Sequence, residues 1–505
     1  MFRIFGPPGT GKTTTLLNMV DDALEKGTSP ERIAFLAFTR KAANEAKERA
    51  AERFNLDPKK DLIFFRTLHS LALTMSDIRP EQVMQDENYR ELSNKIGVSL
   101  GGQKNTSIDE DIPSLVNSSD PVLGLINLAR LRKVNLRDQY NASNIDQDWN
   151  TVNYVDKCLR EYKENLGLYD FTDMLEHFAK GGDKFCPTFD LCFLDEAQDL
   201  SPLQWDIAHL LDSRSTRMYA AGDDDQAIYR WAGADVDHFI NLPGGSETLS
   251  QSYRIPKRVH EVAENVVRRI ARRFPKKYQP REEPGNVTRI NTINSLDMTQ
   301  GSWLILSQAA YQLQPVYTDL KSGGYLFTYR GKRSIAEKVS DAINGWEQLR
   351  KGREVSGKVA RAIYSYMSIG KSVTRGYKKL PGIADEDLVN LQELTVNHGL
   401  LATSNMIWSE AMDKLPETDR AYVTALLRRG EKFNGIPRIT ASTIHGSKGG
   451  EADNVVLFTD LSPAADNEMR INPDDMHRVF YVGVTRAKKN LFIVDAEDIS
   501  RSYDL

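Results

Sequence analysis

Cysteine is scarce: the 505-residue chain has three, Cys158, Cys186 and Cys192. An odd count with no paired spacing argues against a disulfide framework and against cysteine-bound zinc or iron–sulfur centres. That usage fits a reducing compartment, so a cytoplasmic protein is expected. Long hydrophobic runs are missing as well. Nothing approaches the ~18 residues of a membrane-spanning helix, and the N-terminus lacks the basic flank, apolar segment and cleavage site of an export signal. A soluble chain with no membrane partner is therefore expected. Charge of one sign is also lacking, with 66 Lys and Arg against 70 Asp and Glu. A polyanionic partner would have to be met by local basic patches rather than by bulk charge. The length exceeds what one ordinary core organises, which implies several domains.

What is present starts at once, with MFRIFGPPGTGKTTTLL. FRIF reads as a short apolar strand, and Leu16, Leu17, Val20, Ala23 and Leu24 recur at helical spacing until Gly27. Between them, Gly6, Pro7, Pro8, Gly9, Thr10, Gly11, Lys12 and Thr13, followed by Thr14, form a phosphate-binding loop. Glycines at 6, 9 and 11 let backbone N–H groups close on phosphates at a helix N-terminus. Lys12 neutralises them, and the Thr13 hydroxyl suits Mg²⁺. The alternative is an unused glycine turn, which the strand–loop–helix context disfavours.

FDLCFLDEAQDLS, from Phe189 to Ser201, is an apolar strand delivering Asp195 and Glu196 to its C-terminal edge, where ligands of parallel sheets sit. Asp195 suits the metal ion, and Glu196 suits polarising the attacking water in phosphoryl transfer. An acidic strand end on any surface looks the same; the phosphate loop in the same chain favours catalysis. In RMYAAGDDDQAIYRWAGAD, a strand from Met218 to Ala221 precedes a polar turn with Asp223, Asp224, Asp225 and Gln226, then Tyr229 and Trp231. Aromatic faces two apart suit stacking of single-stranded bases, at ~1–3 kcal/mol per base. On position alone, ordinary core packing is the readier reading.

GPPGTGKT, AFTRKAANEAKER, TLHSLAL, LDEAQDLSPLQ, GDDDQAIYRWAGAD, LSQSYR, TIHGSKGGEADNVV and YVGVTRAKKNLFIV occur in that order. Together they resemble the motif set of UvrD/Rep/PcrA-type superfamily 1 DNA helicases, in a compact, phage-type form. The resemblance implies an α/β fold of two RecA-like lobes, each a parallel sheet flanked by helices with a mainly helical insertion. By it, residues 1–74 and 166–245 form the first lobe and 75–165 its insertion. Residues 246–333 and 436–505 form the second lobe and 334–435 its insertion. ATP with Mg²⁺ would lie in the cleft between lobes. The resemblance makes Lys12, Thr13, Asp195 and Glu196 the ATPase residues and Gln226 a phosphate sensor. Arg254 and Arg486 become arginines supplied by the second lobe, Tyr253 the adenine-stacking ring, and Glu451 an acidic residue reaching the ribose. For DNA it points to Thr39, Arg40, Thr67, His69, Tyr229, Trp231, Thr443 and His445. Taken singly, His69 and His445 read more readily as structural histidines; the motif context makes the two readings even.

The activity so implied is ATP-dependent, 3'→5' translocation on single-stranded DNA with unwinding at single-strand/duplex junctions, in replication, repair or recombination. The polarity follows from TIHGSKGGEADNVV, which is similar to the UvrD form of that motif and not to the RecD-like form. A monomer or weakly self-associating protein is expected. Alternatives are a translocase that strips bound proteins with little unwinding, an RNA-directed helicase, and a non-catalytic nucleotide-gated module. The region around GGQKNTSIDEDIPSLVNSSD reads as loop. Two basic runs stand out: ten Lys/Arg against two acidic residues from Arg254 to Arg281, and nine against one from Arg350 to Lys379. Each suits either phosphate contact or a solvated face. One departure from the family is expected to matter: MFRIF carries no glutamine upstream of the loop to read the adenine edge, so relaxed nucleotide choice is expected. With eleven residues after Val494, no nuclease domain is expected.

Overall fold

The computed structural model describes residues 1–101 and 120–505. The polar stretch read as a loop lies almost wholly outside the described residues. Contacts divide the chain into two compact units, Met1–Gly285 with Asn467–Thr485, and Asn286–Asp466 with Arg486–Leu505.

The first unit is built on six parallel strands: β1 (Phe2–Phe5), β2 (Ile33–Ala37), β3 (Phe65–Thr67), β4 (Phe189–Leu194), β5 (Ser215–Gly222) and β6 (Ser246–Thr248). Their order is β3-β2-β4-β5-β1-β6. The central strands are apolar on both sides, as a sheet covered by helices on two faces requires. Ile4, Phe35 and Phe193 join Leu16 and Val20 of the helix Lys12–Glu25 on one face. Phe5, Leu36 and Leu194 join Trp205 and Leu211 of the helix Pro202–Ser213 on the other. This period-2 split sends successive residues of one strand into different cores. β1, β5 and β4 are neighbours in register, with Phe5 opposite Gly222 and Leu194 opposite Ala220. The loops that follow them therefore emerge side by side.

The expected lobe boundary near Ser246 falls differently in the structure. β6 pairs with β1 and closes the first sheet. The next strand, β7 (Gln251–Pro256), pairs with β8 (Gln279–Arg281) and lies in the same unit. The helix Pro473–Val484 also belongs there, because Asp474 accepts hydrogen bonds from the Ala271 and Arg272 amides at 2.8 and 2.9 Å.

The segment expected as the first insertion carries its own small core, in which Tyr89 and Leu92 meet Val122, Ile126, Val155 and Leu159. It is tied to the lobe by buried charge. Asp170, 3% exposed, caps the helix Phe171–Gly181 by accepting from the Asp173 amide at 2.7 Å. The same carboxylate takes Arg130 at 2.8 Å and Lys163 at 2.6 Å from two insertion helices, Pro121–Arg132 and Trp149–Leu166. Arg130 also reaches Asp173 and Glu176. Burial pushes the Asp170 carboxyl up, but the two cations hold it well below the carboxylate range.

In the second unit, β9 (Asn286–Ile290), β10 (Trp303–Ser307), β11 (Phe327–Tyr329) and β12 (Lys332–Arg333) come first. The short pair β13 (Val355–Ser356) and β14 (Leu388–Val389) lies in the insertion, and β15 (Ile439–Thr443), β16 (Ala452–Phe458) and β17 (Ala487–Val494) follow. Seven of these form one sheet in the order β12-β11-β15-β10-β16-β17-β9, parallel except for the β11–β12 pair. The sheet and the segment expected as the second insertion share a single core: Ile305, Phe327 and Val456 cluster with Trp346, Tyr364 and Val423.

Because Arg130 neutralises the buried Asp170 carboxylate, Arg130→Ala should destabilise the protein by about 3–5 kcal/mol. Urea unfolding followed by tryptophan fluorescence checks this; a loss below about 1 kcal/mol, the range of exposed pairs, would place the anchor elsewhere.

Candidate nucleotide and nucleic-acid sites

The loop after β1 turns twice through left-handed backbone, at Gly9 (φ 74°) and Gly11 (φ 76°), a conformation other residues resist. Gly11 leads directly into the helix Lys12–Glu25, so successive amides face the space at its N-terminus. Gly6 is needed for another reason: a Cβ there would lie 2.8 Å from that of Lys12. The Lys12 stem runs across it toward the end of β4.

There the ammonium lies 2.5 Å from Glu196 Oε1 and 3.3 Å from Asp195 Oδ1. Burial alone would lower its pKa, but Asp195 and Glu196 raise it well above the ordinary value, so Lys12 is a permanent cation. The Thr13 hydroxyl donates to Asp195 Oδ2 at 3.0 Å, which pairs the two groups suited to share a divalent ion. Asp195 is shifted upward, chiefly by burial, against the pull of Lys12. Glu196 adopts left-handed backbone, φ 57°, unusual for a residue with a side chain and typical of strained functional turns. Loop, lysine, hydroxyl and carboxylate pair together fit a nucleoside triphosphate with Mg²⁺.

A buried glutamine, not among the residues that the motifs single out, completes the cluster. Gln198 is fully buried; its amide nitrogen donates to Glu196 Oε2 at 2.5 Å and to Asp199 Oδ2 at 3.0 Å. Its carbonyl accepts from the Asp223 amide at 3.0 Å. It thus couples the turn after β4 to the turn after β5. The signal in the sequence was a lone amide inside an acidic run, DEAQD. In the second turn, Gln226 donates to Asp223 Oδ2 at 2.7 Å.

Strand β7 lies along the phosphate loop. The Tyr253 amide donates to Gly9 O at 2.8 Å, and the Ser252 hydroxyl to Pro8 O at 2.7 Å. A Cβ on Gly9 would meet that of Arg254 at 2.3 Å. Arg254 therefore belongs to the unit that carries the phosphate loop, a correction to its expected place in the second lobe. The Tyr253 ring is 73% exposed beside the loop, available to stack on a base.

Six of the residues expected to meet DNA are in this unit, near the ends of β2 and β3 and the segment that packs on them. Thr39 and Thr67 are helix caps, accepting from the Ala42 and Ser70 amides, each at 3.2 Å. Arg40 opens the helix Arg40–Phe54 and is exposed. His69 Nε2 is shielded from solvent with no hydrogen-bond partner among the described residues. Burial, and then nearby Arg40, pull its pKa down to about 4. The two aromatics divide: Tyr229, 3% exposed, stacks on Phe38 with centroids 5.6 Å apart, whereas Trp231 is 45% exposed. Only Trp231 presents a face to solvent.

The second unit holds the rest, on opposite edges of its sheet. Thr443 and His445 follow β15 at its C-terminal end, where Thr443 accepts from the Gly446 amide at 3.1 Å. Glu451 and Arg486 stand before β16 and β17 at the N-terminal end, where Ala452 pairs with Ala487. Arg486 is 2% exposed and donates to Gly450 O at 3.2 Å; Glu451 meets Lys488 at 3.2 Å.

The model of the UvrD/REP helicase N-terminal domain matches residues 2–244, and that of the UvrD-like helicase C-terminal domain matches 438–494. The chain belongs to the UvrD/REP helicase family. Among curated proteins it is 28% identical over 290 residues to "ATP-dependent DNA helicase PcrA" of Leuconostoc citreum, covering 54% of this chain and 38% of that protein. It is also 28% identical over 298 residues to the protein of that name from Bacillus subtilis (strain 168), covering 55% and 39%. A "Probable DNA helicase" of Mycoplasma pneumoniae is 26% identical over 301 residues, covering 54% and 53%. The match thus spans only about two fifths to half of these relatives. A solved structure, "The structure of PRRSV helicase", aligns over 99% of this chain and 54% of its own at 12% identity and a TM-score of 0.35, too slight a likeness to bear on the fold. The matched regions of this UvrD/REP-family chain take in both the Lys12–Glu196 cluster and Arg486.

Glu196→Gln keeps the shape of the side chain but removes its charge, so it should lower ATP turnover by ~10²–10⁴-fold, the share of a general base. Nucleotide binding, read with a fluorescent ATP analogue, should survive; Lys12→Ala should lose both. His69 supplies a pH test. Its folded pKa of about 4 lies below the ordinary 6.5. The unfolded chain therefore takes up the proton first, and stability falls as pH drops through the window between those values. The His69 ring protons should not titrate in NMR spectra between pH 7 and 5, and His69→Gln should flatten the loss of stability across that window.

Proposed function

We propose that the protein is an ATP-dependent DNA helicase that moves 3'→5' along single-stranded DNA and opens duplex at junctions. The observation that carries the ATPase half is the contact of Lys12 with Glu196 and Asp195 at the mouth of the glycine loop. ATP enters with its phosphates on the loop amides, and Lys12 exchanges Glu196 for phosphate oxygens. That exchange leaves Glu196, still held through Oε2 by Gln198, to draw a proton from the attacking water. Thr13 and Asp195 would hold Mg²⁺, which when bound neutralises charge on the phosphates. Gln226 reports the terminal phosphate, and Arg254 and Arg486 stabilise the charge of the transition state. Tyr253 stacks on the base.

For the DNA half, the exposed face of Trp231 supports base stacking, and Thr39, Arg40, Thr67, His69, Thr443 and His445 supply polar contacts. The family assignment supports DNA as the strand and the polarity of the UvrD branch. Part of each basic run is engaged within the protein. In the first, Lys257, Arg268, Arg272, Arg273, Lys276 and Arg281 each have a carboxylate partner within 4 Å. In the second, Lys378 donates to the carbonyls of Tyr364, Ser365 and Met367, while Arg350 and Arg361 pair with Glu347 and Asp385.

Unwinding of a 3'-tailed, a 5'-tailed and a blunt duplex tests the polarity. Activity confined to the 3'-tailed substrate is expected; activity only on the 5'-tailed one would reverse the direction, and none on any would favour a protein-stripping translocase. ATPase stimulation by poly-dT should exceed that by poly-U, and equal stimulation would admit RNA. Trp231→Ala should weaken stimulation by poly-dT about tenfold, the worth of one stacked base, with basal hydrolysis kept.

A further inference from the structure

Three consecutive aspartates follow β5, and all three side chains are buried: Asp223, Asp224 and Asp225 are each at most 1% exposed. Like charges so close repel unless a cation gathers them. Lys276 does so. Its ammonium has three N–H donors, and it lies 3.1 Å from Asp223 Oδ1, 2.6 Å from Asp224 Oδ1 and 2.7 Å from Asp225 Oδ2. Neighbours in the same segment add to the grip. Arg273 binds Asp225 through both oxygens at 2.8 and 2.6 Å, and the Phe274 amide donates to Asp224 Oδ2 at 2.7 Å. The Phe274 ring stacks at 4.0 Å on Phe5, the last residue before the phosphate loop. From the far side, Arg478 donates to Asp224 O at 2.9 Å.

Asp223 is the pivot of this arrangement. Its Oδ1 takes Lys276, its Oδ2 takes the Gln226 amide at 2.7 Å, and its backbone N–H goes to Gln198, which holds Glu196. A carboxylate gripped on both oxygens cannot rotate, so the amide bonded to it is fixed as well.

We propose that Lys276 is a positioning residue for ATP hydrolysis: by drawing the three aspartates onto one ammonium, it fixes Asp223 and so aims the Gln226 amide at the terminal phosphate. This rests on the reading of Gln226 as phosphate sensor given above. The alternative is that Lys276 merely neutralises buried charge and stabilises the fold, with no bearing on Gln226.

Lys276→Met by itself leaves the aspartates short of a cation and is at risk of not folding. The paired variant Lys276→Gln with Asp224→Asn removes one charge of each sign and preserves the balance. DNA-stimulated ATPase is then measured for wild type, Gln226→Ala, the paired variant, and the three changes combined, with near-ultraviolet circular dichroism to establish folding. If Lys276 acts through Gln226, Gln226→Ala and the paired variant should each lower kcat about tenfold or more with KM for ATP within about threefold, and the combination should fall no further. A combined loss equal to the product of the separate losses, or wild-type kcat in the paired variant, would overturn the proposal. Wild-type kcat in Gln226→Ala would instead remove the sensor reading itself. Should the paired variant not fold, Lys276→Arg, which keeps the charge but not the three-way geometry, takes its place in the same cycle with the same criteria.

Discussion

The ammonium of Lys12 can stand between Asp195 and Glu196 only because three parallel strands end in register. Lys12 and the two acids are more than 180 residues apart in the chain, yet β1, β5 and β4 are neighbours, and their C-terminal loops emerge at one edge. Parallel pairing makes this possible, since every strand in such a sheet delivers its following loop to the same side. The glycine loop, the acidic turn and the Asp223–Gln226 turn are consequences of that one alignment. The apolar faces that hold the sheet between its helices are what keep it in place.

The same edge shows why charge is expensive to read from composition. The run from Arg254 to Arg281 looks in sequence like a surface for polyanions. In the fold, Lys276 and Arg273 are spent inside the protein on the buried aspartates, and Arg272 pairs with Asp237. A lysine with three carboxylate partners is a structural element, whereas a lysine of identical chemistry on a solvated face would meet phosphate. Only burial separates the two, and burial belongs to the fold.

Much of the architecture was legible beforehand. Strands at Phe2–Phe5, Phe189–Leu194 and Ser215–Gly222 lie where apolar runs before turn residues placed them, and the helix after the phosphate loop ends just before Gly27. Parallel strands buried on both faces must be continuously apolar, so they announce themselves. Pairings were less legible. Nothing in LSQSYR says that Ser252 and Tyr253 bind Pro8 and Gly9, or that the compact unit runs on to Gly285. Tyr229 and Trp231 were indistinguishable by position; a stacking partner, Phe38, buries one and leaves the other in solvent. Thr39 and Thr67, expected to contact DNA, are also the caps that start their helices, a role any threonine before a helical run can take.

What the sequence determined by itself was local chemistry: which residues could bind phosphate, hold a divalent ion or polarise water, because each of those capacities belongs to a side chain and its immediate backbone. The glycines of GPPGTGKT carry their conformational freedom wherever they stand, and DE at the end of an apolar strand is a carboxylate pair in any context. The tertiary structure decided which of these capacities meet. It joined Gln198 to Asp223, gathered three aspartates on Lys276, turned Trp231 outward and Tyr229 inward, and put Arg254 against the phosphate loop. Those outcomes depend on contacts between residues far apart in the chain, and such contacts exist only once the sheet has set the positions of its loops.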